Sequence, residues 1–150
     1  MYTKKQKQII TDFIKKIDTD YEVFFEKVFS ADVYEEQVFV GSKAYIKCYD
    51  SEMFMNWFSK EFGFTMNKWL IALLHEIGHL ETTSEELQEQ RDLLYKALTL
   101  LYEDNTLSIE ELNERYFNIP CEYAATAWGV EYYLKNKEKC ENLIKTLDLV

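Results

Sequence analysis

His75, Glu76 and His79 stand in the run H-E-I-G-H. Four residues on an α-helix make slightly more than one turn, so both imidazoles project from one face within reach of a single ion. Glu76 lies about 100° around the helix from His75, to the side of that ion. Two neutral imidazole nitrogens suit zinc, and the adjacent carboxylate can take a proton from a water that the metal activates. The chemistry implied is metal-assisted hydrolysis, with Glu76 as general base. The competing reading is a pair of buried histidines satisfied by carbonyl or carboxylate oxygens. It is disfavoured because burying Glu76 and two imidazoles in an otherwise apolar helix without a cation is costly.

A catalytic zinc site has three protein ligands and one open position, and the chain has only these two histidines. The third donor is therefore a carboxylate or a thiolate from elsewhere. The segment C-E-Y-A-A-T-A-W-G, residues 121–129, is the most suggestive source. Glu122, Ala125 and Gly129 share one helical face, and the small residues around them permit close approach to the metal helix, where Gly78 offers matching room. Glu122 is thus the expected third ligand, with Glu131 and Cys121 as alternatives. A carboxylate in a first helical turn also interacts favourably with the helix dipole without any metal. Glu81 is expected to face solvent.

The helix that must carry the motif is read over residues 66–80, with Thr65 as its cap and apolar side chains around most of its circumference, hence buried and central. An amphipathic helix at 4–17 places Ile9, Ile10, Phe13, Ile14 and Ile17 on one side. The chain then turns β-branched and aromatic about Gly41-Ser42, which reads as a hairpin with strands near 36–40 and 43–49. A short aromatic helix follows near 52–60, and its Phe54, Trp57 and Phe58, together with Trp69, are read as core. Thr83 with Glu86 forms a capping box for a long helix to about 102, with Leu87, Leu94, Leu98 and Leu101 along one face. Ser108 with Glu111 repeats the device. Pro120 opens a helix over about 120–135, and a last helix covers 138–148. These elements give one mainly helical α+β domain spanning 1–150, with a small antiparallel sheet or hairpin packed on the central helix.

Composition narrows the function. Twenty-seven acidic against seventeen basic residues give a net charge of -10, which repels phosphate backbones and excludes general nucleic-acid binding. No apolar run approaches the roughly 20 residues of a membrane-spanning helix. Three cysteines, with no C-x-x-C pair and no secretory leader, fit free thiols and a cytoplasmic protein.

H-E-I-G-H followed by Glu122-x-x-Ala125-x-x-Trp128-Gly129 resembles the zincin metallopeptidases of the gluzincin kind, and more narrowly the ImmA/IrrE-type family of bacterial and phage proteins. That resemblance implies a zincin-like fold, Zn2+ held by His75, His79 and Glu122, and cleavage of an intracellular protein or peptide substrate. It also implies a cleft edge formed by a sheet strand, here 43–49, that pairs with an extended peptide. The donor for the developing oxyanion is expected among Tyr116, Tyr123 and Arg115. The expected function is a zinc-dependent metallopeptidase. A zincin-fold protein that regulates a partner by binding, without proteolysis, is the alternative, and hydrolysis of a non-peptide amide is a weaker one.

Overall fold

The computed structural model describes residues 1–43 and 52–149. Seven helices and three strands are present among them, in the order α1 (Lys4–Ile17), β1 (Glu22–Phe25), β2 (Ser30–Asp32), β3 (Gln37–Val40), α2 (Glu52–Phe62), α3 (Lys68–Thr82), α4 (Glu85–Asp104), α5 (Ile109–Phe117), α6 (Pro120–Lys135) and α7 (Lys137–Thr146). The architecture is α+β and mainly helical.

The sheet is mixed rather than antiparallel. β3 is central, pairing parallel with β1 (Glu22 opposite Gln37) and antiparallel with β2 (Ser30 opposite Phe39). β2 and β3 are joined by a turn in which Asp32 Oδ1 accepts from the Tyr34 and Glu35 amides, and Glu36 takes a positive φ of 53°. The hairpin partner of β3 among the described residues thus precedes it. The strand expected over 43–49 falls almost wholly outside the described residues.

α3 is the centre of the fold. Its residues from Trp69 to Gly78 are all buried, as a helix apolar on every side requires. β2 and β3 pack on it, and α6 runs against it over most of its length. The start of α3 is set by Asn67, whose side chain accepts from the Leu70 amide and whose amide group also donates to the Leu149 carbonyl. The cap is therefore Asn67 rather than Thr65, fixed by a bond across the fold. At the same end the Trp69 indole donates to the Tyr2 hydroxyl, which donates to the Gly41 carbonyl, tying helix, N-terminus and the end of β3 together.

α6 has the bounds its sequence predicts, with Pro120 in the first turn. Its small residues bring it onto α3. A Cβ on Gly78 would lie 2.3 Å from the Ala125 carbonyl oxygen, so the two backbones touch at a point that only glycine allows. One turn below, Gly129 meets Leu74.

α4 differs from its expectation at its start. Ser84, not Thr83, is the cap and accepts from the Leu87 amide; Thr83 ends α3 and accepts from the Gln88 side chain. No residue of α4 is fully buried. On the expected leucine face Leu87, Leu98 and Leu101 are half-buried and Leu94 is 38% exposed, whereas Leu93 and Leu100, on the opposite side, are 69% and 65% exposed. Phe54, Phe58 and Trp69 are core as expected, with Trp57 packed beside them. Among the described residues, no helix is long and apolar enough to cross a membrane.

Candidate metal centre

His75 and His79 leave α3 on the side facing α6, their rings 4.6 Å apart and nearly perpendicular. Glu122, in the first turn of α6, meets both. Its Oε2 lies 2.8 Å from His75 Nε2 and 3.2 Å from His79 Nε2. The three donor atoms lie within 4.8 Å of one another, and the group could hold a metal ion. The approach of Gly78 to Ala125 makes this possible, because Gly78 immediately precedes His79 and Ala125 lies one turn beyond Glu122. A side chain at 78 would push the carboxylate away.

The surroundings assign the histidine tautomer. The Thr126 hydroxyl lies 2.9 Å from His75 Nδ1 and donates to the Glu122 carbonyl at 3.1 Å. With its proton committed there, it accepts from Nδ1–H, which turns Nε2 towards Glu122 Oε2. Two electron-rich atoms at 2.8 Å need a proton or a cation between them. Second-shell bonding of this kind is what orients metal-ligating imidazoles.

A zinc ion fits the donor set: imidazole nitrogens and carboxylate oxygens are both among its usual ligands. Two ligands bound tetrahedrally at zinc distances lie roughly 3.4 Å apart. The observed separations of 2.8 and 3.2 Å are slightly short of that, so a small outward swing of the Glu122 carboxylate admits the ion.

Electrostatics agree with a cation-seeking site. Burial pushes the Glu122 carboxyl up, but the hydrogen bonds from His75 and His79 overcome it and hold the group far below the usual carboxylate range. Burial pushes His79 down, and the bond and charge of Glu122 outweigh it, so the imidazole is raised. The cluster holds protons where a metal would replace them.

Glu76 is buried at 6% exposure and lines the same cleft, a space of about 210 Å³, with no hydrogen-bond partner among the described residues. The cleft is closed on one side by Ser30 and Ala31 of β2 and Val33 just after it, and on the other by Arg91 and Tyr95 of α4 and by Tyr116. The Tyr95 hydroxyl donates to Glu122 Oε1, and the Arg91 guanidinium lies 5.0 Å from the centre of the Tyr95 ring.

His75, Glu76, His79 and Glu122 are thus brought together. The alternatives for the third donor are not. Glu131 is on the surface, paired with Lys135 at 2.6 Å. Cys121 is buried outside the donor group, and burial together with the Glu122 charge pushes its thiol up to about 11, far from thiolate. Of the expected oxyanion donors, Tyr116 reaches the cleft, Tyr123 is committed to Glu61 at 2.7 Å, and Arg115 is exposed outside the cleft. Sequence reasoning missed Tyr95, Arg91 and Thr126. Arg91 and Tyr95 are four residues apart on α4, and Thr126 is four beyond Glu122, spacings that put each on a shared helical face. Compared with family models, curated proteins and solved structures, the chain matches none.

Proposed function

We propose that the chain is a zinc-dependent metallopeptidase of the zincin, gluzincin-like kind, acting on a protein or peptide substrate in the cytoplasm. The observation that carries this reading is the convergence of His75, His79 and Glu122 within 4.8 Å, with the unpartnered Glu76 carboxylate lining the same cleft.

Zinc bound there would supply Lewis acidity and lower the pKa of a coordinated water towards 7. The chain's residues do the rest. Glu76 accepts the proton of the attacking water at its carboxylate and hands it to the leaving amine. Tyr116 and Arg91 line the cleft, where a side-chain donor can meet the charge that develops on the substrate carbonyl oxygen. Among the described residues β2 is an edge strand of the sheet and lines the cleft, so its outer backbone groups can add an extended peptide as a further strand. The buried free thiols Cys121 and Cys140 suit a reducing compartment.

A second reading, partner binding without proteolysis, is favoured by the outward leucines of α4. Glu76→Gln separates the two. The peptidase reading expects about one zinc per chain in parent and variant alike, and cleavage of a fluorogenic peptide library that falls by about 10²–10⁴-fold in the variant. A variant that cleaves like the parent refutes it; zinc in both with cleavage in neither favours partner binding.

A further inference from the structure

Glu122 has two oxygens, and the structure divides them between different tasks. Both imidazole Nε2 atoms converge on Oε2, whereas Oε1 accepts from the Tyr95 hydroxyl. Tyr95 comes from α4, a separate element that contributes no buried residue to the core. Its ring is held in place: the Arg91 guanidinium lies over it at 5.0 Å, and Tyr116 packs on it with ring centroids 5.8 Å apart and hydrogen-bonds its hydroxyl. Tyr95 is half-buried, and its hydroxyl and ring are fixed by groups from three elements, α4 itself, α5 and α6.

We propose that Tyr95 is a positioning residue that holds Glu122 to single-oxygen ligation. A free carboxylate can present one oxygen or both to a cation. With Oε1 engaged by a hydroxyl donor, Oε2 is the oxygen left to join the two imidazoles, and one coordination position stays open. Loss of the hydroxyl would free Oε1 to chelate as an additional donor and would remove the restraint on the carboxylate's orientation. Outer bonds of this type are worth about 10–100-fold in metal affinity. The inference rests on the metal-site reading above and adds to it a role for α4, which would otherwise be only a wall of the cleft.

Tyr95→Phe deletes the hydroxyl and keeps the ring. The measurements are zinc affinity by competition with a chelating dye, the visible absorption of the Co2+-loaded protein, and melting of the metal-free protein. The expected result is zinc affinity about 10–100-fold weaker in the variant, a weaker cobalt absorption band reporting a fifth ligand, and metal-free melting equal to that of the parent. Equal zinc affinity and an equal cobalt spectrum in the two proteins overturn the inference while leaving the metal site intact. Lower metal-free melting with an unchanged cobalt spectrum also overturns it, assigning Tyr95 to helix packing. A parent that takes up neither metal refutes the metal site itself, and the role of Tyr95 with it.

Discussion

Gly78→Ala tests whether the site depends on the contact between two helix backbones. The new Cβ would stand 2.3 Å from the Ala125 carbonyl oxygen and 2.9 Å from its carbonyl carbon and Cα, where ordinary contact begins near 3.4 Å. All three are backbone atoms, so no rotamer change relieves the overlap, and α3 and α6 must part locally by roughly 1 Å. Overpacking of this kind costs about 1–3 kcal/mol, and a rigid partner puts it at the upper end. Replacing a helical glycine with alanine returns about 1 kcal/mol. A net loss of about 2 kcal/mol lowers the melting temperature of a chain this size by about 4–8 °C. The same separation draws Glu122 away from His75 and His79, so zinc affinity should fall at least about tenfold. Gly129→Ala is the internal comparison: its Cβ meets the Leu74 Cβ at 3.1 Å, short of ordinary contact by only a few tenths of an ångström, so this variant should melt within about 2 °C of the parent. Calorimetry of the metal-free proteins and zinc titration of each decide the matter. A Gly78→Ala protein as stable and as zinc-avid as the parent, or one no worse than Gly129→Ala, refutes the claim that backbone contact sets the ligand spacing.

Other outcomes follow from the same geometry. Thr126→Val removes the acceptor of His75 Nδ1–H and leaves that donor buried, so the metal-free protein should lose about 1–3 kcal/mol in denaturant unfolding and zinc affinity about tenfold or more. pH should act in opposite directions on the two forms. The carboxyl of Glu122 is held low, so its contribution is present above about 4.5 and is lost only in strong acid; the raised His79 contributes below about 6.5 and loses its effect as pH rises through its higher folded value. Metal-free protein should therefore melt highest between about pH 4.5 and 6.5, whereas the stabilisation added by zinc, which displaces the His79 proton, should grow above that window. A zinc-induced shift in melting that is flat with pH would remove His79 from the ligand set.

How far the fold and the site could be read from residues depended on whether a feature was local. α6 was legible to the residue because Pro120 and Asn136 bound it by local chemistry, and its small residues announced the close approach to Gly78. The metal group was legible for the same reason: two ligands follow from helical spacing, and the third lies on the one segment slim enough to reach them. β1 and β2 were not legible. E-V-F-F and S-A-D are too short to show a period, and they are strands only because β3 lies between them. The starts of α3 and α4 slipped because a second cap former stood within two residues of the expected one: Asn67 is chosen by its bond to Leu149, and Ser84 because Thr83 already ends α3.

α4 shows what hydrophobic periodicity leaves out. Leucines at helical spacing mark the inward side, and Leu87, Leu98 and Leu101 are half-buried as that spacing requires. Arg91 and Tyr95 lie beside them at the edge of the same face, where the Tyr95 hydroxyl meets the Glu122 carboxylate. Leu93 and Leu100 stand on the opposite side, at 69% and 65% exposed. Periodicity finds the face but not which of its polar residues reaches the site, since the deciding group lies on another helix 27 residues further along the chain. The donors missed in the sequence were therefore those whose inward direction is imposed by the site itself.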